Sequence, residues 1–156
     1  MTTWRYYKHE GFAPQKGDIL LVSWDAFQSH IIRWWTKSKY SHVSLFLGPK
    51  VLWDVDWSGT EVVSHLKYLR CPRSIYRPKE VSPEQLNQVT TYCVAHIGDP
   101  HPLLSFGRGD WCTDAVYNSY LFAGIKLFER PKDRLIYPSD FEGKESLEKM
   151  LEVKKV

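Results

Sequence analysis

The alternation of apolar and polar positions predicts a small sheet in the first half of the chain. Residues 19–22 (ILLV) form a short apolar run typical of a buried strand. Residues 41–48 alternate in character, which places His42, Ser44 and Phe46 on one face and Val43, Leu45 and Leu47 on the other. After a Gly-Pro-Lys turn, residues 51–56 predict the hairpin partner. Further short strands are predicted at residues 60–65, 74–77 and 125–128.

Helical spacing appears in four other segments. In residues 24–37, Phe27, Ile31, Trp34 and Trp35 recur at helical spacing and predict a mostly buried stripe. A helix start is predicted at Ser82, which has the residue type of an N-cap. Pro83 suits the first helical position, and Gln85 suits the capping-box position three residues after the N-cap. The helix that follows ends at Gly98, with a predicted buried stripe of Leu86, Val89, Cys93 and Ile97. Residues 113–123 predict a third helix, and residues 144–156 a solvated amphipathic one.

The chain length and the positions of turn-forming residues predict one α+β domain. The chain has 156 residues, enough for one substantial core. We expect an N-terminal arm at residues 1–15, a single domain at 16–142 and a charged C-terminal tail at 143–156. The 15% aromatic content favours an aromatic-lined groove in addition to the core. The net charge of +3 comes from scattered basic residues and does not predict a nucleic-acid partner.

Three cysteines without close spacing predict neither a disulfide framework nor a zinc site. The first residues lack the apolar region of a signal peptide, and no run has the length of a membrane helix. We therefore expect a reducing, cytoplasmic setting and no transmembrane segment. On its helix stripe, Cys93 is interpreted as structural.

Cys112 is a candidate nucleophile because an irregular, glycine-rich segment turns into a helix at this residue. Unpaired backbone N–H groups and the positive end of the helix dipole favour a thiolate there. A free cysteine is more often merely buried, and that alternative holds for Cys112 taken alone.

Cysteine catalysis also needs an imidazole and a polar group that orients it. His42 lies on a predicted strand, and Asp54 and Asp56 lie on one face of its hairpin partner. Either carboxylate is a candidate third member, because the register of the hairpin decides between them. Each of these residues also has an ordinary structural role open to it.

Three segments resemble the landmarks of the permuted NlpC/P60 group: residues 16–20 (KGDIL), 39–48 (KYSHVSLFLG) and 111–117 (WCTDAVY). The chain resembles the YiiX-like branch most, over residues 16–141. The resemblance implies a circularly permuted papain-like fold, a small antiparallel sheet or half-barrel packed against helices, with the histidine strand before the cysteine helix. Thr113 and Asp114 replace the Ser and Glu that usually follow the cysteine. The Asp-Pro-His-Pro segment at residues 99–102 also departs from the pattern.

The resemblance implies a cysteine peptidase or amidase that acts on a small peptide or amide without metal or cofactor. Cys112, His42 and Asp54 (or Asp56) would carry the reaction through a thioester, and the backbone N–H of Cys112 would supply part of the oxyanion hole. Tyr40 and His101 are candidate substrate-binding residues. Two alternatives stay open: a lipid-directed acyltransferase, thioesterase or phospholipase with the same Cys–His chemistry, and a non-catalytic binding module.

Overall fold

The computed structural model describes residues 3–24, Trp34, and residues 37–102 and 111–155. Seven strands are present in this part of the chain: β1 (Trp4–Lys8), β2 (Ile19–Val22), β3 (His42–Gly48), β4 (Val51–Asp56), β5 (Gly59–Ser64), β6 (Arg73–Pro78) and β7 (Leu147–Lys155). The two helices with described bounds are α1 (Pro83–Ala95) and α2 (Cys112–Phe122). Short 3-10 turns span His65–Tyr68 and Pro138–Phe141.

The seven strands form one sheet in the order β1-β7-β6-β2-β3-β4-β5, and every pair of neighbours is antiparallel. The predicted hairpin of β3 and β4 is confirmed, with Leu45 opposite Trp53 and Phe46 opposite Leu52. Continuing this register by one residue places Ser44 beside Asp54. The hairpin therefore brings the polar positions of both strands to the same end of the sheet.

Both faces of the sheet are covered by apolar side chains. Val43 and Leu45 of β3 pack in the cluster that includes α1 and α2, whereas Phe46 packs in a second cluster on the other face. The predicted alternation of β3 is thus confirmed. Tyr68, from the 3-10 turn after β5, belongs to the second cluster, so this turn is fixed against the face that carries His42.

The start of α1 is the one that the sequence predicts. Ser82 accepts a hydrogen bond from the Gln85 amide at 3.1 Å, and the Gln85 side chain accepts one from the Ser82 amide at 3.0 Å. Val89 and Cys93 are buried as expected. Ile97 is not: it lies beyond the helix end and is 47% exposed, because the chain turns at Gly98, which has a φ of 91°.

The predicted helix at residues 144–156 is wrong, because Leu147–Lys155 is strand β7, paired with both β1 and β6. Ile75 pairs with Leu151 and Tyr76 with Lys149, so Met150 is an extra residue in a bulge. The bulge shifts the alternation of buried and exposed residues along β7. Leu147, Met150 and Val153 are therefore the buried residues, and their spacing of three is close to that of a helix. Within the predicted N-terminal arm, Trp4–Lys8 is the edge strand of the sheet.

The strand predicted at residues 125–128 is also wrong, because these residues are irregular. Leu127 and Phe128 are buried, and their carbonyls accept hydrogen bonds from the Ser146 and Tyr117 hydroxyls in place of a neighbouring strand. Of the helix predicted at residues 24–37, Phe27, Ile31 and Trp35 lie outside the described residues. Trp34 is helical but 82% exposed, so it is not a core residue. Among the described helices, none is long and apolar enough to span a membrane.

Candidate active site

His42 is the first residue of β3, and its imidazole is almost completely buried. Its Nε2 lies 2.5 Å from Oδ1 of Asp54 on β4. The ring packs beside Tyr68 and Trp24, with ring centroids 5.5 and 6.3 Å away. These contacts fix the ring plane, so the second ring nitrogen, Nδ1, is left to face the next group of the site.

Asp54 is fully buried and is the centre of a hydrogen-bond network. Its Oδ1 accepts from His42 and from the Ser44 hydroxyl, each at 2.5 Å. Its Oδ2 accepts from Lys67 Nζ at 2.8 Å and from the Tyr68 hydroxyl at 2.7 Å. Because four donors surround the two oxygens, the carboxylate is held in one orientation and its charge is compensated despite burial.

The electrostatics of the pair favour an imidazolium. Burial alone would lower the pKa of His42, but the negative charge of Asp54 overrides it, with smaller contributions from Cys112 and from hydrogen bonds to both, and raises that pKa to about 10. Burial would raise the pKa of Asp54, yet the charge of His42 and the hydrogen bonds from His42, Lys67 and Ser44 hold it well below its usual range. The site is therefore built to keep a positive ring beside a negative carboxylate.

Cys112 is the first residue of α2 and is only partly buried. Its thiol is close enough to the His42 ring to contribute to the raised pKa of that imidazole, through its charge and through a hydrogen bond. Trp111 stands at the N-cap without a side-chain hydrogen bond to the helix, so no capping side chain competes for the first backbone N–H groups. The helix is anchored by buried residues such as Tyr120, whose hydroxyl donates to the Gly17 carbonyl.

The other two cysteines lie in different surroundings. Cys93 is completely buried, and desolvation raises its pKa to about 12, so its thiol stays neutral and unreactive. Cys71 is partly buried and packs against the second apolar cluster. Of the three thiols, the one at the helix start is the thiol that the structure places beside His42.

Asp56 differs from Asp54 in its partners. Its carboxylate accepts from Lys67 Nζ at 2.7 Å and from the Ser58 amide at 2.8 Å. The structure thus places Asp54, rather than Asp56, against the imidazole. Glu61 completes a cluster in which one oxygen from each of the three acids lies within 4.8 Å of the others.

Tyr40 and His101 occupy different places. Tyr40 is buried in the core, and its hydroxyl lies 2.5 Å from the Ser74 hydroxyl on β6. The His101 ring lies 4.7 Å from the ring of Trp57, tilted by 35°, and contacts Trp111 edge-on at 5.2 Å between ring centroids. Desolvation lowers the pKa of His101, assisted by the charge of His42 and opposed by Asp56. His101 therefore lies beside the Cys112 end of α2, whereas Tyr40 does not present a free hydroxyl to it.

Three residues of this site have no role in the sequence-based prediction: Ser44, Lys67 and Tyr68. Trp57 is among the tryptophans, with Trp34, Trp35 and Trp53, that the sequence offers either for a lipid-facing surface or for core packing. Ser44 shares the face of His42, two residues away, and this alternation was sufficient to find it. Lys67 and Tyr68 lie on a 3-10 turn whose position depends on β5, and no local pattern marks them. Trp57 follows β4, and its ring contact with His101 joins segments that are distant in sequence.

No family model matches this chain, and no curated protein matches it. A structural match is the metalloprotein YiiX (DUF1105) of Escherichia coli O157:H7, with a TM-score of 0.72 and 18% sequence identity. The match covers 88% of this chain and 97% of that one. This chain therefore has a YiiX-like fold.

Proposed function

We propose that this protein is a cysteine-dependent hydrolase, a peptidase or amidase with a permuted papain-like fold of the NlpC/P60 type. The observation that carries the proposal is the hydrogen bond between the His42 ring and the buried carboxylate of Asp54, with the Cys112 thiol close enough to the ring to help raise its pKa. A nucleophile, a base and an orienting group in this order are the parts that thiol catalysis requires.

The mechanism follows from the positions of these groups. Before substrate binds, His42 Nδ1 has taken the thiol proton, so the resting site is an imidazolium–thiolate pair, and the Cys112 thiolate then attacks the carbonyl carbon of an amide. The backbone N–H of Cys112 contributes to an oxyanion hole, an effect worth roughly 3 kcal/mol per donor. The imidazolium then donates its proton to the leaving amine. Water attacks the thioester and releases the acid, while Asp54 holds the ring orientation throughout.

The E. coli protein is described as a metalloprotein, but the acids of this chain do not fit a metal ion in their present arrangement. Lys67 Nζ lies 2.8, 2.7 and 3.5 Å from oxygens of Asp54, Asp56 and Glu61, so an ammonium already fills the centre of that cluster. No step of the proposed mechanism passes through a metal.

An aromatic wall made of Trp57, His101 and Trp111 lies beside the Cys112 end of α2. Trp57 is 40% exposed, so part of this wall is open to a bound molecule. Planar amide groups and apolar side chains both pack well on such rings. A small peptide with an amide bond placed over Cys112 fits this environment.

Turnover of a panel of peptide amides, including γ-glutamyl peptides, tests the proposal. We expect hydrolysis by the wild type, loss of activity in Cys112→Ala, and loss of at least a hundredfold in His42→Ala. Cys71→Ala serves as the matched control and should keep full activity. An acyl-enzyme mass added to the peptide that contains Cys112 supports the thioester; hydrolysis that survives Cys112→Ala overturns the proposal.

A lipid-directed acyl hydrolase or acyltransferase is the second candidate. It is favoured by Leu66 and Leu69, which are 60% and 45% exposed on either side of Lys67 and Tyr68. Exposed apolar residues next to a site are typical of proteins that work on apolar substrates. Faster turnover of long-chain acyl esters than of peptide amides, with the same dependence on Cys112, would select this function.

A further inference from the structure

Lys67 lies at the meeting point of three acids. Its ammonium is 2.8 Å from Asp54, 2.7 Å from Asp56 and 3.5 Å from Glu61, and its side chain is 24% exposed. It also lies over the rings of Trp24 and Tyr68, 5.6 and 5.5 Å from their centroids. Three carboxylates and two aromatic rings thus hold this otherwise flexible side chain in one place.

The three acids would repel one another without this ammonium. Carboxylate oxygens within 4.8 Å of each other resist joint ionisation unless a cation lies between them. Burial opposes the charge of Lys67, but the hydrogen bonds to Asp54 and Asp56 outweigh it and raise the pKa of Lys67 above its ordinary value. Lys67 therefore stays charged over the whole range of physiological pH.

We infer that Lys67 is the built-in cation of the Asp54–Asp56–Glu61 cluster and a positioning residue for Asp54, in the place where a metal ion would otherwise be needed. By binding Oδ2, Lys67 turns Oδ1 toward His42, and by neutralising the cluster it keeps the negative potential at Cys112 low. This inference rests on the proposed function for its catalytic part, whereas its cation part stands independently.

The catalytic part is tested by the alkylation rate of Cys112 in the intact protein, followed by mass spectrometry. Lys67→Met should slow the reaction with iodoacetamide roughly tenfold near neutral pH, because Asp54 then loses the ammonium that holds its Oδ2 and turns its Oδ1 toward His42. Lys67→Arg should stay within about threefold of the wild type. Lys39→Met is the matched control, since Lys39 also joins two glutamates, Glu142 and Glu152, but outside this site.

The cation part is tested by thermal unfolding with and without millimolar calcium chloride. Calcium should raise the melting temperature of Lys67→Met, by entering the vacated cluster, and leave that of the wild type unchanged. The rise should disappear in Lys67→Met/Glu61→Gln. A Lys67→Met protein without a calcium response overturns the cation part of the inference, and one whose Cys112 is alkylated like that of the wild type overturns the catalytic part.

Two controls keep the outcomes distinct. If Lys67→Met does not fold, Lys67→Gln carries the same comparison, because glutamine keeps hydrogen-bond donors to the acids without the charge. If wild-type Cys112 reacts no faster than Cys71, the proposed function fails. The calcium response still decides whether Lys67 is the cation of the cluster.

Discussion

Replacing Asp54 with asparagine separates the chemistry of the site from its stability. Lys67 has only donors, so the amide oxygen of the new side chain must face Lys67 and Tyr68, and its NH₂ group must face His42 and Ser44. His42 Nε2 then has to accept a hydrogen bond, which moves the ring proton to Nδ1. In that tautomer Nδ1 faces Cys112 with a proton and cannot take the one from the thiol.

The magnitude follows from this change of partners. All four positions around residue 54 can stay hydrogen-bonded, so only the charge assistance is lost, and we expect a cost of about 1–2 kcal/mol in the free energy of unfolding. The imidazolium loses its main counter-charge, so burial lowers the pKa of His42 against the smaller opposing contribution of Cys112. A wrong tautomer costs a catalytic triad up to about 10⁴-fold in rate, so we expect turnover and Cys112 alkylation to fall at least about 100-fold.

The assay combines urea unfolding with iodoacetamide alkylation of Asp54→Asn and of Asp56→Asn. Asp56 shares the face and the Lys67 partner but does not contact His42, so Asp56→Asn should react within about threefold of the wild type. Equal effects of the two substitutions, or an Asp54→Asn protein that reacts at the wild-type rate, would refute the reasoning.

Two further predictions concern stability. The pKa of His42 is raised to about 10 in the folded protein from an ordinary value of 6.5, so the stability that its protonation contributes is fully present below pH 6.5 and is lost as the pH rises to about 10. Urea midpoints of the wild type should fall over that window, and those of His42→Gln should fall less. Parallel profiles of the two proteins would be the contrary outcome. Gly59 has a φ of 108°, and a Cβ there would lie 2.5 Å from the Asp99 carbonyl oxygen. Gly59→Ala should therefore lower the free energy of unfolding by about 3 kcal/mol, against about 1 kcal/mol for Gly11→Ala, where nothing lies within 4 Å. Equal melting temperatures of the two variants would contradict this.

Local patterns predicted the elements that local chemistry determines. The capping box at Ser82 and the alternation of β3 depend on neighbours in sequence, and the structure confirms both. The C-terminal strand was missed for a physical reason. Its buried residues have the spacing of a helix only because a bulge at Met150 breaks the alternation, and that bulge exists only when β7 is paired with β6.

In the candidate site, too, some residues could be predicted from local sequence and others depend on contacts between distant segments. His42 and Cys112 could be proposed from a strand and a helix start, because each position is defined by the segment around it. Asp54 and Asp56 could not be separated, since they share a face and both carry a carboxylate. Lys67 binds both acids, and their roles diverge because His42, Ser44 and Tyr68 also bind Asp54, whereas Asp56 is bound by Ser58. The position of Tyr68 is set by the turn after β5.

The central claim is the coupling of the Cys112 thiol to His42, and competitive alkylation within one chain measures it most directly. Sub-stoichiometric iodoacetamide near neutral pH should label Cys112 well before Cys71 and leave the buried Cys93 unlabelled. The preference should vanish in His42→Ala. Equal labelling of Cys112 and Cys71 in the wild type, or a preference that survives the loss of His42, would contradict the account.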